Sequence, residues 1–260
     1  MLDLGIAGRR AIVCGSSRGL GRACAEALAR AGAIVVVNGI DPARCAKAAE
    51  EIAAATGGRT LPVPADVTTQ AGQEALFAAE GAPDILVTNA AGPPFKDFRT
   101  LDREAILAGV AANMVTPIEL IQRAVDGMVA RRFGRIVNIT SVSVKMPIPG
   151  LDLSSGARAG LTSFLAGVLR SVAHANVTIN NLLPGYIDTD RYRGGVQATA
   201  KLQGTTPEAL QERQVAGVPA RRIGTAAEFG AACAFLCGAQ AGYITGQNLL
   251  IDGGLYTSAF

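Results

Sequence analysis

The chain has 260 residues, 49% hydrophobic and 17% charged, with a net charge of +3 and a mean hydropathy of +0.30. A chain of this size can bury a large core, and its length suits one α/β domain. The near-neutral charge, with arginines scattered and no interleaved aromatics, argues against a nucleic-acid-binding face, and no apolar run approaches the roughly 20 residues of a membrane span. The start, Met1-Leu2-Asp3-Leu4-Gly5, lacks the basic-then-apolar order of a secretion signal, so a cytoplasmic protein with no membrane partner is expected. Five cysteines, at 14, 24, 45, 233 and 237, read as buried thiols in a reducing compartment, with Cys233 and Cys237 on one helical face. A single histidine, His174, argues against a Cys/His metal centre and reads as a surface residue at a helix end.

The elements alternate along the chain. Strands are predicted at Ala11–Cys14, Ala33–Asn38, Thr60–Ala65, Asp84–Thr88, Arg135–Ile139, Val177–Asn180 and Asn248–Ile251. Helices are predicted at Gly19–Ala31, at Pro42–Ala55 and over 101–131, 154–174 and 225–237, with Pro42 at an early position where proline is tolerated. Nearly all-apolar strands alternating with helices predict a Rossmann-like, doubly wound parallel sheet of about seven strands, with helices on both faces. With no linker or composition break, residues 1–260 read as one domain. The stretch 186–222, rich in Gly, Arg, Gln and Thr, is expected to be a long loop with a short helix near Pro207–Gln214. A loop of that length suggests a lid over substrate.

Between the first strand and the first helix the chain reads Cys14-Gly15-Ser16-Ser17-Arg18-Gly19-Leu20-Gly21. Glycines 15, 19 and 21 permit a tight turn, close approach of backbone to a diphosphate, and close packing of helix on strand. The helix start then offers N–H groups and the positive end of its dipole to the phosphates. This is a nucleotide-binding arrangement.

The Gly-x-x-x-Gly-x-Gly spacing resembles that of the short-chain dehydrogenase/reductase family. Other segments extend the resemblance from about residue 8 to 254. Asp66-Val67 is similar to the family's adenine-contacting pair. Asn89-Ala90-Ala91-Gly92 resembles its Asn-Asn-Ala-Gly motif, and Asn113 its helix-embedded Asn. Pro184-Gly185, with Ile187 and Thr189, resembles its nicotinamide-side loop, and Tyr243–Gln247 with Asp252-Gly253-Gly254 its C-terminal segment. The motif style is nearest to 3-oxoacyl-acyl-carrier-protein reductases, which places the chain in fatty acid metabolism by implication. The resemblance implies an oxidoreductase that reduces a carbonyl, of a small molecule or an acyl thioester, or oxidises the alcohol. It also implies a homotetramer, with which the apolar stretches 154–173 and 243–260 are consistent.

The cofactor turns on the end of the second strand, Val37-Asn38-Gly39-Ile40-Asp41. A carboxylate there would bond the ribose 2′-hydroxyl and repel a 2′-phosphate. Gly39 occupies that position, and Arg18 offers a guanidinium fork that suits phosphate oxygens. Against this stand Ile40, where NADP-preferring relatives carry a second arginine, and the nearby Asp41. NADP is expected ahead of NAD, with Ser17, Arg18 and Asn38 among the contacts.

The resemblance implies four catalytic groups: an Asn holding a relay water, a Ser orienting the carbonyl, a Tyr exchanging the proton, and a Lys on the ribose. Asn113 and Ser141 match. The Tyr position falls on Ser154 and the Lys position on Arg158, and no tyrosine lies between residues 134 and 185. A phenol titrates near pH 10, whereas an aliphatic hydroxyl is a far weaker acid. Arginine aims its donors differently from lysine. Three readings stay open. Ser154, or a water held by Ser141, Asn113 and Arg158, relays the proton; Tyr186 or Tyr192 reaches in as the acid; or the chain binds nucleotide with little catalysis, as a scaffold, sensor or subunit. Ser154 is also expected to cap the helix that starts there.

Overall fold

The structure, a computed structural model, describes residues 3–79, 81–93 and 95–259. Seven parallel strands form one sheet in the order β3-β2-β1-β4-β5-β6-β7. They are β1 (Arg10–Val13), β2 (Ile34–Gly39), β3 (Thr60–Pro64), β4 (Ile85–Thr88), β5 (Gly134–Ile139), β6 (Val177–Pro184) and β7 (Asn248–Ile251). The predicted doubly wound sheet is therefore present, with every predicted strand in place to within a few residues. The order reverses between β1 and β4, and at such a switch point the carboxyl ends of the strands open a crevice.

Side chains of β1 alternate between two cores. Ala11 and Val13 point to the layer of α1 (Gly19–Arg30), α2 (Pro42–Thr56) and α9 (Ala226–Cys237). Ile12 points to the layer of α3 (Gln70–Ala78), α5 (Thr116–Arg131) and α6 (Asp152–Val172). Two-sided burial explains the apolar strands, since each buried Leu, Ile or Val contributes about 1.5–3 kcal/mol. Cys24, Cys233 and Cys237 meet where α1 packs on α9, all fully buried. Hydrogen bonding among the three thiols, and then burial, holds those of Cys233 and Cys237 well above the usual range, which keeps them inert. His174 stands exposed just beyond the end of α6.

Four elements differ from expectation. Residues 186–222 are more ordered than expected: the helix foreseen near Pro207–Gln214 is α8 (Pro207–Gly217), but α7 (Asp190–Leu202) stands where loop was expected, and the two pack together through Val196, Ala200 and Leu210. Thr189 and Thr206 cap them through their side chains. The helix α3 was not foreseen. The run 101–131 divides into α4 (Arg103–Val110), a π-helical turn at Ala111–Val115, and α5. Finally, α6 starts two residues before Ser154, so Ser154 is not its cap. By length and composition Arg103–Arg131 is apolar enough to cross a membrane; here α5 turns Leu120, Ile121, Ala124 and Met128 onto the sheet.

A row of polar side chains crosses the second half of the sheet. Thr88, Asn138, Asn181 and Asn248 occupy paired positions on β4, β5, β6 and β7. Thr88 donates to Asn138 at 2.7 Å, Asn138 to Asn181 at 3.1 Å, and Asn181 to Asn248 at 2.8 Å. Each buried amide is thereby satisfied by its neighbour, as burial requires.

Candidate active site

The glycine turn leaves β1 and enters α1. Gly15 and Gly19 have φ of 56° and 59°, a region that side chains rarely adopt. At Gly21 a β-carbon would strike the Gly15 carbonyl oxygen. The turn is held from below by Asn38, whose Oδ1 accepts from the Gly15 N–H at 3.1 Å while its amide donates to Val63 and Ala65. Asn38 thus supports the turn from inside. Asn89 reaches the same turn, donating to the Gly15 carbonyl at 3.3 Å. α2, α3, α4, α7, α8 and α9 begin with a side chain accepting a first-turn N–H. At α1, the Arg18 side chain makes no such bond, so its start can receive an oxyanion. The turn, Leu20 behind it and the absence of any β-carbon at Gly39, where one would come within 2.6 Å of Ser17 Oγ, make a cradle that fits a dinucleotide diphosphate and ribose.

The other predicted cofactor residues border this cradle. Asp66 lies beyond β3 and accepts from the Thr68 N–H and hydroxyl, and Val67 is buried beside it. The loop Ala90-Ala91-Gly92 follows β4. Pro184 ends β6, and the Gly185 N–H bonds Ile251 on β7 at 3.0 Å. Ile187 is buried and bridges Gly224. Thr189 caps α7 and stands 3.9 Å from where a Gly19 β-carbon would be, closing the cradle from the α7 side.

Beyond the cradle lie the four candidate catalytic residues. Ser141 follows β5, its hydroxyl accepting from the Ser143 N–H at 3.1 Å. Ser154 and Arg158 are one turn apart on α6, both buried. Arg158 Nε donates to Ser154 Oγ at 3.3 Å and Nη1 to the Ile139 carbonyl at 2.6 Å. Among the described residues no carboxylate neutralises Arg158; burial first, then the charge of Arg191, lower its pKa to about 10. Asn113 sits in the π-helical turn, a distortion often found at functional sites. Its Nδ2 donates to Gly109 at 3.2 Å, while its Oδ1, fully buried, has no partner. Asn113 and Arg158 line a cavity of about 10 Å³ with Thr88, Asn89 and Ile139, about one water's space. Three of the predicted catalytic groups are thus gathered at the ends of β4 and β5.

The Tyr192 hydroxyl is engaged within the α7–α8 pair, donating to Gln214 on α8 at 2.7 Å. Burial first, then Tyr186 and Asp188, push its pKa up to about 12. The Tyr186 ring lies 5.8 Å from that of Tyr192, and burial raises its pKa too.

Residues 15–256 match the family model described as enoyl-(acyl carrier protein) reductase. The chain belongs to the short-chain dehydrogenase/reductase family. Among the family's curated members, it is 35% identical to the 3-oxoacyl-[acyl-carrier-protein] reductase FabG of Haemophilus influenzae, covering 96% of this chain and 99% of the relative. It is 32% identical to the NADPH-dependent reductase BacG of Bacillus subtilis, over 95% of this chain and 97% of the relative. The structure of L-sorbose reductase from Gluconobacter frateurii, complexed with NADPH and L-sorbose, superposes with a TM-score of 0.92. The two are 27% identical, over 99% of this chain and 100% of that one.

One residue at the short-chain dehydrogenase/reductase site was not among those picked from the sequence as catalytic or cofactor-binding. Arg191, on the first turn of α7, donates to the carbonyls of Gly92 and Pro93 at 3.2 and 3.4 Å. Its place beside Gly92 follows from a contact across 99 positions, which no local pattern records.

Proposed function

We propose that this protein is an NADP-dependent oxidoreductase that reduces a carbonyl, or oxidises the corresponding alcohol, with proton transfer arranged differently from the tyrosine design. The observation carrying this reading is the buried set Arg158–Ser154 at the end of β5, beside Asn113 and beside Asn89, which itself bonds the glycine turn. The names of the relatives, 3-oxoacyl-carrier-protein reductase and NADPH-dependent reductase, support the cofactor and make a 3-oxoacyl thioester the first substrate class to try.

NADPH, when bound, supplies the hydride to the carbonyl carbon. Gly15, Ser17, Arg18, Gly19, Leu20 and Gly21 would hold its phosphates, with Arg18 on the 2′-phosphate and Gly39 offering no carboxylate to repel it. Asp66 and Val67 would border the adenine, and Asn89 to Gly92 with Pro184, Gly185, Ile187 and Thr189 the nicotinamide half. Ser141 orients the carbonyl oxygen. As charge develops there, the Ser154 hydroxyl donates a proton, and Arg158 stabilises the oxygen left behind on Ser154. A water held beside Asn113 Oδ1 would then give Ser154 a fresh proton and be re-protonated in turn from solvent, so the proton consumed comes from the medium. Arg158 also takes the lysine's position toward the ribose hydroxyls.

The competing reading is a nucleotide-binding protein with little catalysis, favoured by Ser154 being an aliphatic alcohol. Mixing the protein with NADPH, ketones and β-ketoacyl thioesters, and following absorbance, separates the two. Loss of NADPH absorbance with any of them supports the reductase; tight NADPH binding without turnover on the whole panel overturns it for those substrates.

Assembly as a homotetramer is part of the same proposal. Ile106 and Leu107 on α4, Val115, and Phe164 on α6 are exposed, as are Tyr243 and Leu249 near the C-terminus. The expected interface segments 154–173 and 243–260 contain the last three; Phe260 lies outside the described residues.

A further inference from the structure

The strands are all parallel, so their amino ends lie on the side of the sheet opposite the nucleotide crevice. Arginine collects there. Over the three residues before each strand and the strand's first residue stand five arginines, Arg9, Arg10, Arg59, Arg131 and Arg132, with one carboxylate, Asp84, and no lysine. Five arginines against one aspartate give a local charge of +4, more than the net +3 of the whole chain, so the remainder is close to neutral. These residues are scattered along the sequence. The order β3-β2-β1-β4-β5 gathers them into one band, about 19 Å long at the usual strand spacing.

Asp84 is the hub of this band. Its side chain is 6% exposed, and Arg9, Arg10 and Arg131 reach it at 3.8, 4.0 and 3.0 Å. One carboxylate cannot neutralise three guanidinium groups, and their side chains remain 39%, 35% and 30% exposed. The groups are also held still. Arg131 donates to the carbonyls of Pro83 and Ala82 at 2.6 and 3.4 Å. Arg9 stacks on the Phe133 ring at 4.0 Å, beside the buried Arg135 at 4.4 Å. Arg132 is exposed and reaches the His174 carbonyl at 3.5 Å. Forks fixed in advance lose little freedom when a partner binds them.

Arginine without lysine is the composition of protein interfaces, where arginine is enriched and lysine depleted, and each fork suits a carboxylate. Phe133 is 5% exposed and its ring is taken by arginines, so it offers no face on which a nucleobase could stack. From β1 to β5 is two strand spacings, about 10 Å, a distance that three residues of an extended peptide cover. We infer that the amino end of the sheet docks an acidic segment of a partner protein. Its carboxylates meet Arg9 and Arg10 on one side of Asp84, and Arg131 and Arg132 on the other. A partner held there leaves the nucleotide crevice open at the opposite end, and tethers the protein without entering its chemistry. The inference does not depend on the proposed carbonyl reduction.

Fluorescence anisotropy tests it, with labelled decaglutamate, decaglutamine and a ten-nucleotide oligothymidylate titrated at low salt against the protein saturated with NADPH. The wild type should bind decaglutamate at least about tenfold more tightly than decaglutamine, the effect of a charge-assisted pair, and more tightly than the oligothymidylate. Arg9→Gln with Arg132→Gln should abolish the preference. Arg132→Gln alone, which leaves Asp84 and Phe133 with all their contacts, should remove part of it. Lys201→Gln with Arg213→Gln, an equal change of charge on α7 and α8, should keep it, and NADPH affinity should stay within about twofold throughout. Equal affinity for decaglutamate and decaglutamine overturns the inference. So does an equal loss in the α7–α8 variant, which would mean a response to net charge alone. Oligothymidylate binding as tight as decaglutamate also overturns it, because the band would then read any polyanion.

Discussion

Arg158 donates its Nε–H to the hydroxyl of Ser154, one turn away on the same helix and 3.3 Å distant. An i, i+4 pair shares a helix face, so these residues present one polar unit to the ends of β4 and β5. A cation that tolerates burial without a carboxylate, its pKa lowered to about 10, stands against the only hydroxyl at the tyrosine's expected place.

If that unit is a weaker version of the phenol–lysine pair, rebuilding the pair should help. Ser154→Tyr with Arg158→Lys is expected to raise kcat on an accepted carbonyl by about tenfold or more, with the 10²–10⁴ of general acid catalysis as the ceiling. Steady-state rates with saturating NADPH give the answer. An unchanged or lower rate would show that the pocket depends on serine and arginine as they stand.

Cofactor choice rests on Arg18, whose side chain leaves the helix start uncapped. Arg18→Ala should weaken NADPH roughly tenfold, the equivalent of one charge-assisted hydrogen bond, and leave NADH nearly unchanged. Fluorescence titration with both nucleotides decides it; equal losses would remove Arg18 from the 2′-phosphate.

Arg222 first, and then the backbone N–H of Thr225, hold the Glu228 carboxyl down to about 2, against an ordinary value of 4.5. A carboxylate more acidic in the folded than in the unfolded chain stabilises above its unfolded value, and that contribution fades as pH falls toward the folded one. Wild type should therefore melt above Glu228→Gln at pH 6, and the two curves should converge between pH 4.5 and 2. A difference in Tm that stays constant over this window would refute the assignment.

Glycines predict opposite effects in two places. A β-carbon at Gly230 would run into the Ala23 carbonyl where α9 crosses α1. Gly230→Ala should cost about 1–3 kcal/mol in urea unfolding. Gly194 and Gly195, side by side within α7, have open space around them, so alanine there should strengthen the helix by up to about 1 kcal/mol each. Slower amide exchange confined to α7 is the measurable sign.

That pair of glycines also explains what could be read in advance. The strands were legible because burial on both sheet faces leaves unbroken apolar runs. The glycine turn was legible because its spacing is dictated by backbone sterics. In α7 the sequence Asp190-Arg191-Tyr192-Arg193-Gly194-Gly195 is polar and carries two helix-weakening residues in a row, and the Thr189 cap together with packing of Val196 and Ala200 against Leu210 of α8 holds it helical. Ser154 was misplaced as a cap because Leu151 takes that position without side-chain help. The absence of tyrosine could be read directly, whereas the meeting of Arg158 with Arg191 depends on how α6 and α7 lie in space.

The row Thr88–Asn138–Asn181–Asn248 has a direction. In Asn138 and Asn181 the oxygen accepts from the strand on one side and the nitrogen donates to the strand on the other, and Asn248 on the edge strand accepts from Asn181. Neither of these two inner amides can turn over without breaking two bonds and forcing its neighbours to turn as well. The strand leading to Asn89 and the strand leading to Asp252 are therefore geared together, so damage at the outer edge, at Asn248, should be felt as misalignment beside the nucleotide crevice, at β4 three strands away.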